Sequence, residues 1–309
     1  MSKHRAVVFF ILSFSFCVFA GSAHCQSPSE SPKWQVKKLA IEVSRGSSEP
    51  EGDIFIIDPV NTKPRRLVEG AYPAWSPAGE RIAYGTRSGH GYGQIYVINA
   101  DGSGRRQLTN VNGGTFFPDW SPDGEKIAFT VGLGSKSPMV WVMNKDGDNA
   151  KPVTEGSAAR WSPDGSRLAF FRAPKNPGGK GSMWVVNADG TGGKKVRDDD
   201  SAVFDLTWHP DGNSIAFATE REHKSAIFRV GLDGTDLGAI ASDKRVALFF
   251  PVFAPDGLQL LADAFSANDT APVLELGWGK GTILLVDLTG HPTKVLAHGI
   301  HPTVVWARQ

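Results

Sequence analysis

WSPDGEKIAF, Trp120 to Phe129, is the stretch that decides the fold. It holds two short strands and the turn between them. Trp120 closes the first strand, and Pro122 presets φ near −65° at the first central turn position. Asp123 can cap the turn with its carboxylate, and Gly124 takes the positive φ that completes a tight hairpin. Ile127 and Phe129 then alternate with Lys126 and Ala128, the period-2 pattern of a strand. The phrase returns as WSPAGERIAY from Trp75, WSPDGSRLAF from Trp161 and WHPDGNSIAF from Trp208, with a weaker copy, FAPDGLQLLA, from Phe253.

A second phrase recurs between these copies, a strand ending in a polar turn. It reads GQIYVINADGSG from Gly93, MVWVMNKDGDN from Met139 and SMWVVNADGTG from Ser182. DIFIIDPVNTK from Asp53, AIFRVGLDGTD from Ala226 and TILLVDLTGHP from Thr282 are its other versions. Asn or Asp ahead of an Asp-Gly pair is again hairpin chemistry. Each leads into a short basic-apolar strand such as Arg105 to Thr109 or Ala150 to Thr154. The unit is therefore four antiparallel strands, with anchors 41–47 residues apart. A four-stranded repeat of this length is the signature of a β-propeller. One such sheet cannot bury both of its faces, whereas a ring of them can.

The two ends complete the ring. Trp34 to Val43 reads as a second strand, Asp53 to Asp58 as a third and Arg65 to Val68 as a fourth, with no first strand upstream. Ile300 to Trp306 (IHPTVVW) reads as a first strand with no second after it, similar to Gly70 to Trp75. The expected fold is all-β: a six-bladed β-propeller of four-stranded antiparallel blades over residues 34–309. It is closed by pairing the C-terminal strand with the N-terminal blade, which leaves no open edge at the seam. The repeat anchors are Trp75, Trp120, Trp161, Trp208, Phe253 and Trp306.

Residues 1–25 are a different kind of sequence. Lys3, His4 and Arg5 precede an apolar run from Ala6 to Ala20 and then small residues, the layout of a cleaved signal peptide. So short a run falls below the ~20 residues of a membrane span. Ser22-Ala23-His24 stands where a lipidated cysteine has a Leu-small-small tripeptide, so Cys25 is not read as a lipid anchor. Residues 26–33 form a Ser/Pro-rich flexible linker. The expected address is periplasmic or secreted. Cys17 lies in the leader, so the mature chain has no internal disulfide. A formal charge of +1 gives no electrostatic reason to expect nucleic acid as a partner.

W-S-P-D-G-x-x-[IL]-A-F followed by V-x-N-x-D-G-[ST] resembles the repeat of TolB-type propellers, the six-bladed periplasmic domain of the Tol–Pal envelope system. Similar repeats form the propeller of prolyl-oligopeptidase-type enzymes. The resemblance covers Trp34 to Trp306 and concerns the propeller part alone, without the TolB N-terminal α/β domain. It implies a non-catalytic, monomeric module that binds an envelope or secreted protein. The alternative is a polysaccharide-lyase-like propeller enzyme, or a small-ligand binder, with its site at the mouth of the axial channel.

No catalytic constellation emerges from the residues. A G-x-S-x-G elbow is missing, and the Gly-rich stretches Arg87 to Gly93 and Gly132 to Ser137 lack phosphate-loop spacing. The turn aspartates Asp101, Asp123, Asp146, Asp164, Asp189, Asp211, Asp233 and Asp256 are turn formers rather than calcium ligands. Scattered histidines give no zinc pair, and neither a metal nor a cofactor is expected. The residues just before the anchors are Ala74, Asp119, Arg160, Thr207 and Val252. Asp119 and Arg160 are expected either to form an inter-blade ion pair or to join Asp205 and His301 in a polar cluster at the channel mouth. Trp278 and Leu276, in the long segment Phe265 to Gly281, are further candidates for partner contact.

Overall fold

Hairpin after hairpin, the repeats pair as their turns dictate. The computed structural model describes residues 34–44, 52–58, 63–86, 93–132, 138–174, 180–199, 205–221, 224–242, 246–266, 282–288, 294–298 and 300–308. Trp278, Leu276 and most of both Gly-rich stretches lie outside the described residues.

Six four-stranded antiparallel sheets form six blades. The first is ordered β24-β1-β2-β3, from β24 (Ile300–Arg308), β1 (Trp34–Ser44), β2 (Gly52–Ile57) and β3 (Arg65–Glu69). The second runs from β4 (Ala71–Trp75) to β7 (Arg106–Gln107), the third from β8 (Thr115–Trp120) to β11 (Lys151–Glu155), and the fourth from β12 (Ser157–Trp161) to β15 (Lys194–Asp199). The fifth runs from β16 (Leu206–Trp208) to β19 (Asp236–Ala241), and the sixth from β20 (Val246–Phe253) to β23 (Lys294–His298). Among the described residues no helix is long and apolar enough to cross a membrane.

The C-terminal strand β24 pairs antiparallel with β1, as the incomplete ends require. Its register is informative. Val304 lies opposite Leu39 and Thr303 opposite Ala40, whereas Trp306 lies opposite Val36. In the second blade Trp75 lies opposite Ile82 and Ala74 opposite Ala83. Leu39-Ala40 is the counterpart of Ile82-Ala83, so Val304 holds the place of Trp75 and Trp306 stands two residues beyond it. Matching one tryptophan to another misses this, because register follows the neighbouring strand and its bulges, not residue type. Trp306 packs partly buried on the cluster between the sixth and first blades.

Each pair of neighbouring blades shares one apolar cluster. Trp75 packs with Ala40 and Ile54 of the first blade, and Trp120 with Ile95 and Val97 of the second. Trp161 meets Val140 and Val142, Trp208 meets Met183 and Val185, and Phe253 meets Ile227 and Ala241. Leu39, Ile41, Leu261 and Ile283 close the last interface. Trp75, Trp120 and Trp161 are each only 7% exposed. Burial of that size, about 3 kcal/mol or more per side chain, explains why the aromatic recurs once per repeat.

The turns behave as their composition dictates. Gly124 has φ 71° and donates its N–H to Ser121 O at 2.8 Å. Asp123 accepts the Glu125 N–H, and Asp101, Asp164, Asp189, Asp211, Asp233 and Asp256 repeat that bond to the residue two further on. Asp146 instead pairs with Arg106. The expected strand from Arg105 to Thr109 shrinks to Arg106–Gln107. There the Thr109 hydroxyl, not a main-chain oxygen, accepts the Ile95 N–H at 2.8 Å, while Ile95 O still accepts the Leu108 N–H.

Candidate binding site at the propeller axis

The inner strands converge on a cavity of about 140 Å³ to which all six blades contribute. Tyr72, Pro73 and Ala74 come from β4, Phe117 to Asp119 from β8, and Ala158 and Arg160 from β12. Asp205 and Thr207 lie just before and within β16, Phe250 to Val252 in β20, and Pro302 and Thr303 in β24.

Backbone irregularity creates this lining. The pairing of the inner strand slips between Ala71 and Ala74, Phe116 and Asp119, Ser157 and Arg160, and Phe249 and Val252. At each slip a non-glycine residue takes a left-handed conformation: Tyr72 and Phe117 at φ 53°, Ala158 at 52° and Phe250 at 48°. Such a φ is costly for an aromatic residue and persists only where the surroundings fix it. The preceding blade does so by hydrogen bonding. Glu42 Oε2 accepts the Tyr72 N–H at 3.1 Å, and Thr130 Oγ1 accepts that of Ala158 at 3.0 Å. The Tyr72 and Phe117 rings then pack together with centroids 4.4 Å apart.

The lining also carries charge. Arg160 Nη2 donates to Asp205 Oδ2 at 2.9 Å and to Oδ1 at 3.2 Å, an ion pair between the fourth and fifth blades. Asp205 Oδ1 also accepts the Leu206 N–H at 2.7 Å. Asp119 Oδ2 accepts the Trp161 N–H at 2.8 Å, the same service that Thr303 Oγ1 gives to Trp75 at 3.3 Å. Burial drives the Asp119 carboxyl up to about 6, even though Arg160 and the Trp161 N–H pull it back; Asp205 adds to the rise. Burial works against the Arg160 charge, but Asp205 and Asp119 more than offset it and hold the guanidinium above its usual range.

Asp119, Arg160 and Asp205 thus share one wall, but the strong pair is Arg160–Asp205, while Asp119 is tied to the next blade's backbone. His301 falls in β24 beside Pro302, with its side chain outside the described residues. The aromatic members Tyr72, Phe117 and Phe250 are not among the residues that the sequence singles out. Their signal was an aromatic residue before a proline, in Tyr72-Pro73, Phe117-Pro118 and Phe250-Pro251. Among the described residues no group of three or more His, Cys, Asp or Glu side chains could hold a metal ion.

No family model matches the chain, and no curated protein matches it either. Solved structures do resemble it. TolB from Acinetobacter baumannii is 20% identical, with a TM-score of 0.66 over 88% of this chain and 67% of that one. A putative TolB from Agrobacterium tumefaciens is 18% identical, with a TM-score of 0.65 over 84% of this chain and 89% of that one. An oligogalacturonate lyase in complex with manganese is 14% identical, with a TM-score of 0.54 over 86% of this chain and 74% of that one. The chain has the fold of TolB propellers, a fold that enzymes also use.

Proposed function

We propose that the chain is an exported propeller that binds a segment of a protein partner in the cell envelope at its axial opening. One observation carries this reading: a cavity lined by all six inner strands that holds both aromatic rings and a buried ion pair. Concave sites that combine apolar walls with a few placed polar groups are where ligands are held. The similarity to TolB structures supports a scaffold of this kind, and the leader-like residues 1–25 support export to the periplasm. Trp278 and Leu276 are proposed as further partner contacts.

The test is retention of envelope proteins by the immobilised full chain, compared with Ala158→Trp, Val252→Trp and deletion of 267–281. A protein held by the wild type and lost when either tryptophan fills the cavity is the expected result. Equal retention by the folded cavity variants would sink the axial reading. Loss on the deletion alone would move the docking surface to that segment.

A further inference from the structure

We propose that the axial cavity is selective for a cation, and that its ligand presents an alkylammonium group to Asp119. This rests on the docking reading above for its site, and adds the chemistry of what enters.

The argument is one of charge and capacity. The described charges on the cavity wall are two carboxylates, Asp119 and Asp205, and one guanidinium, Arg160. Arg160 spends its charge on Asp205, with one nitrogen reaching both carboxylate oxygens. Asp205 completes its coordination with the Leu206 N–H. The excess negative charge therefore belongs to Asp119. One of its oxygens, Oδ2, takes the Trp161 N–H, and Oδ1 has no protein donor among the described residues. A carboxylate in that position gains most from a ligand that brings both a proton donor and a positive charge.

The rest of the lining fits the same ligand. Tyr72, Phe117 and Phe250 line the cavity with aromatic rings, and aromatic rings attract ammonium ions. Pro73, Pro118, Pro251 and Val252 give an apolar sleeve for an alkyl stem. At about 140 Å³ the cavity compares with the ~150 Å³ cavities that admit a benzene-sized molecule, so it suits a short alkyl chain ending in nitrogen. An anionic ligand would meet the excess carboxylate and find Arg160 already engaged. Two sources offer the favoured chemistry, a free small amine or a lysine side chain on a partner.

Calorimetric titration of the full chain with n-butylamine, n-butanol and butyrate at pH 8 tests the charge preference. Butylamine is expected to bind at least tenfold more tightly than the isosteric alcohol, with butyrate weaker still. Asp119→Asn should abolish that preference while retaining the wild-type fold by circular dichroism. Equal affinity for amine and alcohol, or an undiminished preference in Asp119→Asn, overturns the proposal. Nα-acetyl-lysine methylamide distinguishes the sources: binding at least as tight as butylamine assigns a lysine side chain, and failure to bind beside a binding butylamine assigns a free amine. Partner retention lost in Ala158→Trp or Val252→Trp but unchanged in Asp119→Asn would leave the docking site standing and remove the cation. Amine binding with retention unchanged in both filled-cavity variants would do the reverse.

Discussion

The blade interfaces and the axial wall lie a few residues apart in every repeat, yet they obey opposite rules. At the interfaces one residue type returns: Trp75, Trp120, Trp161 and Trp208, then Phe253, each at most 7% exposed. One position earlier, in the same strands, stand Ala74, Asp119, Arg160, Thr207, Val252 and Thr303. The first set packs on a neighbouring sheet, and only in the first blade does a smaller apolar residue, Val304, hold that place. The second lines the cavity at the common axis, although Ala74 and Val252 also touch the blade clusters, and six copies of any one large or charged residue would crowd or repel each other there. Repetition there is not needed for folding, so the wall is free to carry chemistry.

Substitutions on either side of that divide separate the two rules. Trp120→Ala has the largest expected effect, about 3–5 kcal/mol of lost stability, since it empties the second interface and also removes the indole donor to Ala74 O. A thermal midpoint equal to that of the wild type would show that the anchor is dispensable. Arg160→Ala should cost about 2–3 kcal/mol, because it strands the buried Asp205 carboxylate without its cation. Urea unfolding measures this, and a loss below about 0.5 kcal/mol would mean that the pair is solvated like a surface one.

Asp119 sharpens the comparison through pH. Its carboxyl titrates at about 6 in the folded chain against 3.8 for an ordinary aspartate. The folded state then holds a proton that the unfolded state has already released, a contribution fully present below pH 3.8 and lost as pH rises through 6. Asp119→Asn does not titrate, so its stability relative to the wild type should improve by about 1 kcal/mol between pH 5 and pH 8. Urea midpoints at the two pH values decide, and a difference that stays constant would remove the burial argument. Ala158→Gly has the smallest expected effect. Relief of the left-handed φ should outweigh the added chain entropy by about 0.5 kcal/mol in favour of the variant. A loss instead would show that the extra backbone freedom of glycine outweighs the steric relief.

The fold was legible because it is written many times. Five W-x-P-x-G-type hairpins, each with its own turn chemistry, leave little room for another architecture. The broken repeat at each end also located the seam. The sixth anchor was harder to read, since Trp306 is a tryptophan in nearly the right place, and only pairing across to Leu39 identifies Val304 as its equivalent. At the axis, Asp119, Arg160 and Asp205 stood out as charges among apolar or neutral counterparts. Which of them would pair could not be read, because a guanidinium between two carboxylates chooses by sub-ångström geometry. Tyr72, Phe117 and Phe250 are marked only by the proline that follows each, and an aromatic residue in a strand ordinarily means core.

Pairing of Leu39 with Val304 also bears on how the molecule comes into being. The blade built on β1 cannot acquire its innermost strand until β24 has been made, after all five other blades. Contacts that must wait for so distant a partner repay their ordering entropy late and are slow to form. Until then Leu39 and Ile41 lack the Val304 and Trp306 side of the cluster that buries them.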